Sequence, residues 1–175
     1  MKYTADATIN APVERVDLEN WFYTLSDTEY QACAKGHKGA GAFVENGVRG
    51  TVNVESVGGT LMIQHYREVS AGPRRMEMLS KRSRAYIFHL IPTHITVRWT
   101  MTAASKTANS TTFTCTVEAI TPAALRILSA SIFVPYFLRR HTLEETPLYA
   151  ADINRKLSRA QHDQLRVTNP IRATH

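Results

Sequence analysis

Two different hydrophobic periods follow one another along this chain, and that switch limits the fold more than any single residue does. From His94 to Met101 the alternation is clean. Ile95, Val97, Trp99 and Met101 share one face, while His94, Thr96 and Arg98 take the other. Thr111 to Ala119 is a second strand of the same kind, rich in threonine and valine. Upstream, Gly50–Val57 and Thr60–Val69 read as a hairpin around Gly58-Gly59, and Asn46-Gly47 marks another tight turn. Arg75–Leu79 and Arg84–Leu90 are weaker strands, and residues 105–110 read as a polar loop. After Thr121-Pro122, a capping hydroxyl followed by proline, the spacing becomes helical. Leu125, Leu128, Ile132, Tyr136 and Leu143 supply an apolar side as far as about Leu157, with Pro135 and Pro147 as expected breaks or kinks.

The opening is shorter in its elements. Residues 2–9 read as a strand closed by Asn10-Ala11-Pro12, with a helix from about Pro12 that can bury Val13, Val16 and Trp21. Ser26-Asp27-Thr28-Glu29 is a capping box, so a helix from Asp27 to about Lys35 is expected, ended by Gly36. The predicted class is α+β: a curved antiparallel sheet wrapped around a long C-terminal helix, with two short helices after the first strand. Such a sheet can leave a pocket beneath the helix. One domain over residues 1–157 and a polar tail over 158–175 are expected.

Composition removes several functional classes. The chain has 175 residues, 43% of them hydrophobic, and a formal charge of +6, which fits a globular protein. No apolar run reaches the roughly 20 residues of a membrane span, and no secretory signal opens the sequence. Cys33 and Cys115 are the only cysteines and form no Cys-x-x-Cys pair, so a reduced, cytoplasmic setting is expected. Basic clusters at Arg74-Arg75, at Lys81-Arg82-Ser83-Arg84 and at Arg139-Arg140 come without a nucleic-acid signature. A solvated face accounts for them, and nucleic acid is not the expected partner. A homodimer remains compatible with the sequence. No serine elbow or phosphate-loop fingerprint is present.

His141 and Glu145 are the pointed chemical clue. Four residues apart on a helix, they share a face with Phe137 and lie near Leu148, so a polar pair interrupts an apolar stripe. They read either as an exposed ion pair or as half of a metal site or catalytic acid/base pair facing a cavity. Glu144 and Arg140 beside them allow the first reading. Trp99 reads first as core and second as a stacking surface for a ligand. Tyr23, Tyr66 and Tyr86 can donate to a phenolic or carbonyl ligand or simply pack, and Phe137 joins them as a ligand-contact candidate. In Leu61–Glu68, His65 and Glu68 lie on opposite faces, so both enter a cavity only across a bulge. His37, near a helix end, reads by itself as a capping or loop residue.

The phrase Ile9-Asn10-Ala11-Pro12-Val13-Glu14-Arg15-Val16 resembles the strand-to-helix opening of the START and birch-pollen-allergen-like helix-grip superfamily. That superfamily includes polyketide cyclases and aromatases, lipid and hormone carriers, and some hydrolases. The resemblance implies an internal cavity for a small hydrophobic or aromatic molecule without fixing an activity. Leu18–Leu25 and the glycine-rich stretch after His37 depart from the usual pattern. His141-x-x-x-Glu145 is similar to the helical ligand pair of the zinc-dependent diacetylphloroglucinol hydrolases, whose site uses two histidines and two glutamates. That likeness implies zinc as cofactor and His37, Glu68, His141 and Glu145 as its ligands, with Glu55 or His65 as substitutes.

Overall fold

The computed structural model describes residues 1–120 and 133–168. Strand β1 (Lys2–Ile9) leads through a 3-10 turn (Val13–Arg15) into helices α1 (Leu18–Thr24) and α2 (Asp27–Ala32). A meander follows: β2 (His37–Glu45), β3 (Val48–Val57), β4 (Thr60–Gly72), β5 (Arg75–Ile87), β6 (Ile91–Thr107) and β7 (Ser110–Ile120). The long helix α3 (Val134–Thr168) completes it. All strands pair antiparallel in one sheet of order β1-β7-β6-β5-β4-β3-β2, which curves around α3 in the helix-grip α+β arrangement. Register shifts between Ile63 and Arg67, between Glu68 and Ser70 and between Ser80 and Ser83 are the irregularities that bend the long strands.

The inner face follows the alternation. Trp99, Met101, Phe113 and Cys115 are buried from β6 and β7, and Met62, Gln64 and Tyr66 from β4. Trp21 crosses to the helix, where its indole N–H donates to Asp152 at 2.8 Å. Both cysteines are buried and free, and burial pushes the Cys33 thiol up to about 12, which leaves it inert as a nucleophile.

Several boundaries differ from expectation. The helix expected from Pro12 is a 3-10 turn followed by α1, because Asp17 caps a new start by accepting from the Asn20 amide. The two weak strands after Arg75 are one strand, continued across a bulge by the Ser83–Ser80 hydroxyl contact. Strand pairing also runs into the expected 105–110 loop, which contracts to a turn between Thr107 and Ser110. Helix α3 passes Pro147 without ending and continues through the expected tail to Thr168. The Thr121-Pro122 start, the burial of Leu125, Leu128 and Ile132, and the Asn169-Pro170 end lie outside the described residues. Tyr136 and Leu143, expected on the apolar side, are exposed. Among the described residues no helix is long and apolar enough to cross a membrane.

The capping box at Ser26 forms as expected, and Glu29 does more than cap: its carboxylate also accepts from Lys156 of α3 at 2.9 Å. Burial works to raise the Glu29 carboxyl, but hydrogen bonds from the Ser26 amide, Lys156 and the Ser26 hydroxyl outweigh it and hold it at about 2. A carboxyl depressed by folding stabilises above its unfolded value of about 4.5, and the gain is lost as pH falls toward 2. Acid titrations of wild type and Glu29→Gln should therefore differ in that window, with the variant losing less stability. Parallel curves would mean the α2–α3 tie contributes nothing.

Candidate functional site

The stripe that α3 turns toward the sheet is polar at its centre. Leu138, Tyr149 and Ile153 are buried there, and between them lie His141, Thr142, Glu145 and Thr146, also buried. Thr142 and Thr146 satisfy their hydroxyls locally on the carbonyls of Leu138 and Thr142. His141 and Glu145 have no such local solution. Their partners come from the far edge of the sheet: His37 at the start of β2 and Glu55, directly opposite it on β3.

Each part of this cluster is held from behind. His37 Nδ1 lies 2.6 Å from the Tyr30 carbonyl, which can only accept, so Nδ1 carries a proton and Nε2 faces inward. The Tyr30 ring stacks on the His37 ring at 3.9 Å, and its hydroxyl donates to Glu55 Oε1 at 2.5 Å. Burial first, then Glu55, pushes the Tyr30 phenol far up, so it stays a donor. Glu145 Oε1 lies 3.8 Å from the Cys115 thiol, and Glu55 Oε2 accepts from Gln64 Nε2 at 3.3 Å. Gly36 makes room for the helix: a Cβ there would meet the Ser56 carbonyl at 2.9 Å and the His141 ring at 3.2 Å.

The inward atoms converge. Glu145 Oε2 is 3.4 Å from His37 Nε2 and 3.5 Å from His141 Nε2, and Glu55 Oε2 is 3.8 Å from His141 Nε2. Both imidazole Nε2 atoms are fully buried and make no hydrogen bond among the described residues. Burial works to lower the His37 pKa, but the Glu145 and Glu55 carboxylates overcome it and the net direction is up. Donor atoms of His37, Glu55 and His141 all lie within 4.8 Å of one another. Tetrahedral zinc with donors at about 2.0–2.1 Å needs donors about 3.3–3.4 Å apart; Glu145 Oε2 stands close to that from both rings, whereas Glu55 Oε2, at 3.8 Å from His141, would have to move in. The two imidazoles and the Glu55 carboxylate therefore form a buried group that could hold a metal ion, with Glu145 Oε2 beside both rings.

The cluster forms the most polar end of a largely apolar cavity of about 70 Å³ beneath α3, whose wall also includes Gln64 and Thr60. Glu55, His141 and Glu145 face it, together with Tyr66 and Trp99 from the sheet and Leu138 from the helix.

Of the residues singled out from sequence, His141, Glu145 and His37 meet, and Glu55 takes the fourth position. Glu68 does not reach the cluster: it accepts from the Tyr23 hydroxyl at 2.6 Å and pairs with Arg49 at 2.9 Å. Of the two faces the spacing left open, the one Glu68 shares with Met62, Gln64 and Tyr66 is the inner one, but Glu68 lies further along β4 than the cluster. His65 is exposed against the Phe43 ring. Tyr66 and Trp99 line the cavity, whereas Tyr23 is held in the Glu68–Arg49 group and Tyr86 is offset to the opposite face of β5 from the cavity residues Ala85 and Ile87. Phe137 is half-buried over the Gly58 turn, and Leu148 is exposed. Sequence reasoning missed Tyr30 and Gln64. Gln64 carried a signal, its alternation with Met62 and Tyr66.

No protein-family model matches the sequence, and neither does any curated protein. Solved structures do. The Zhui aromatase/cyclase from Streptomyces sp. R1128 superposes with a TM-score of 0.61 at 13% identity, over 90% of this chain and 95% of that one. A START superfamily protein from Mycobacterium smegmatis gives 0.50 at 10% identity, over 81% and 96% of the two chains. The di-domain aromatase/cyclase BexL of the BE-7585A biosynthetic pathway gives 0.51 at 16% identity, over 88% of this chain and 50% of that one. The chain thus has the helix-grip fold shared by START superfamily proteins and polyketide aromatase/cyclases.

Proposed function

We propose that the chain takes a small aromatic or polyketide-like molecule into the cavity and acts on it at the His37–Glu55–His141–Glu145 cluster, as a metal-assisted hydrolase of the carbon–carbon bond joining an acyl group to a phenolic ring. The observation that carries this reading is the pair of buried imidazole nitrogens that make no hydrogen bond among the described residues and face two carboxylates at one end of a largely apolar cavity. His37, His141, Glu55 and Glu145 would hold the metal, zinc being the ion their nitrogen and carboxylate donors suit. A metal bound there supplies Lewis-acid polarisation of a carbonyl and a water acidic enough to ionise near neutral pH.

The chain's own residues do the rest. Tyr30 fixes Glu55 and, through its carbonyl, the His37 tautomer. Trp99 and Tyr66 offer the aromatic surfaces on which a ring can lie, and Val97, Val117 and Leu138 exclude bulk water. One water is consumed overall. Its oxygen bonds to the acyl carbon, the acyl–ring bond breaks, and the ring carbon gains a hydrogen. At about 70 Å³ the cavity is smaller than the roughly 150 Å³ that accepts benzene, so Met62 and its neighbours would shift on binding.

Elemental analysis of the purified chain, paired with assays for carboxylic acid released from acylated phenols, tests this reading. About one equivalent of divalent metal and a release stopped by chelator are expected, with both lost in H141A/E145A. Metal-free protein that still binds flat apolar ligands would overturn the hydrolase and leave a carrier or metal-independent cyclase.

A further inference from the structure

Half of one polar side chain in the cavity wall is tied to the cluster and its other half is left over. Gln64 is 2% exposed and lies on the inner face of β4, and its amide nitrogen is committed to Glu55 Oε2 at 3.3 Å. Its carbonyl oxygen is buried and has no hydrogen-bond partner among the described residues, although the side chain lines the cavity. The neighbour dictates this orientation. A carboxylate only accepts, and Glu55 Oε1 is already taken by Tyr30, so Gln64 must present its NH2 to Oε2. What remains for the cavity is an acceptor, Oε1, held next to the cluster because Glu55 Oε2 also approaches His141.

We infer that Gln64 Oε1 is a specificity-determining acceptor, which takes a hydrogen bond from a hydroxyl group on the bound aromatic molecule beside the position that meets the His–Glu cluster. The inference rests on the reading that the cavity takes a small aromatic ligand, but not on the metal or on the reaction. A fixed acceptor selects sharply. A ligand hydroxyl satisfies it, whereas an ether or bare ring carbon at the same place leaves a buried carbonyl without a donor. That difference corresponds to roughly 5- to 150-fold in affinity. Thr60, four residues away on the same face, also has a buried hydroxyl in the cavity wall with no hydrogen-bond partner among the described residues. A hydroxyl can donate or accept, so Thr60 cannot make the same distinction.

Isothermal titration of the full chain with chelator present, using 1-naphthol, 1-methoxynaphthalene and naphthalene, reads this directly. Wild type should bind 1-naphthol roughly 5- to 150-fold more tightly than either of the other two. In Gln64→Met, of similar length but without the acceptor, the preference should fall below about threefold, whereas Thr60→Val should keep it. A wild-type preference below threefold overturns the inference, and so does a preference that survives in Gln64→Met. If Gln64→Met does not fold, the wild-type ranking still decides. Failure of all three probes to bind removes the cavity reading and this inference together. A protein that ranks the probes as expected but neither holds metal nor releases acid loses only the hydrolase reading.

Discussion

Zinc should raise the melting temperature of the wild-type chain by several degrees and leave that of Glu145→Gln where it was. A ligand that binds only the folded state stabilises it by about 2.7 kcal/mol at a free concentration 100-fold above Kd. For a chain of this size that corresponds to roughly 5–11 °C. Glu145 is the residue to change because its Oε2 is the atom nearest both imidazoles, at 3.4 and 3.5 Å. Glutamine keeps the volume and removes the anionic donor. Metal-free Glu145→Gln should be somewhat less stable than metal-free wild type, because Glu145 is one of the two carboxylates that outweigh burial and hold the His37 pKa up. The signature is therefore the lost response to zinc, read as a difference within each protein. Thermal melts with and without zinc decide it. An undiminished zinc shift in the variant would remove Glu145 from the site, and a wild-type chain indifferent to zinc would remove the site.

Gly50→Ala should destabilise the fold strongly, and trimming the ring above it should not rescue it. Gly50 sits on β3, directly opposite Phe43 on β2 and Arg67 on β4. A Cβ there would lie 2.3 Å from the Phe43 ring and 2.3 Å from the Tyr66 carbonyl oxygen. The ring can rotate away, but the carbonyl belongs to the β4 backbone and moves only if the strand moves. Overpacking of this kind destabilises by about 1–3 kcal/mol, and the fixed backbone oxygen places Gly50 at the upper end. A fall of roughly 6–12 °C in melting temperature is expected. Because β4 also carries Gln64 and Tyr66, ligand affinity should fall with it. The double variant Phe43→Ala/Gly50→Ala separates the two contacts. Recovery of wild-type stability would show the ring to be the whole obstacle.

Local signals were readable where local interactions decide the outcome. The Ser26–Glu29 box caps α2 within its own four residues, and the alternation of His94–Met101 and Thr111–Ala119 needs only a sheet with one buried face. Features that depend on neighbours were not readable. Ser80 and Ser83 carry β5 through the basic Lys81-Arg82 pair by facing each other inside the fold, which makes one strand where composition suggested two. Past Leu157 α3 continues with exposed side chains, Arg15 donating to Gln161, so no apolar spacing announces it.

Within the site the same division holds. Sequence alone determined that His141 and Glu145 share a helical face, because four residues of α-helix are about one turn, and that a long antiparallel meander precedes them. Whether that face met water or a cavity, and which of several acidic residues joined it, was settled by the closing of the sheet. Glu55 and Glu68 both follow the inward parity of their strands, but pairing of β2 with β3 brings His37 opposite Glu55, while Glu68 ends beside Tyr23 and Arg49. Parity is a property of one strand. Position along the sheet is a property of all seven strands together, and no short stretch of the chain encodes it.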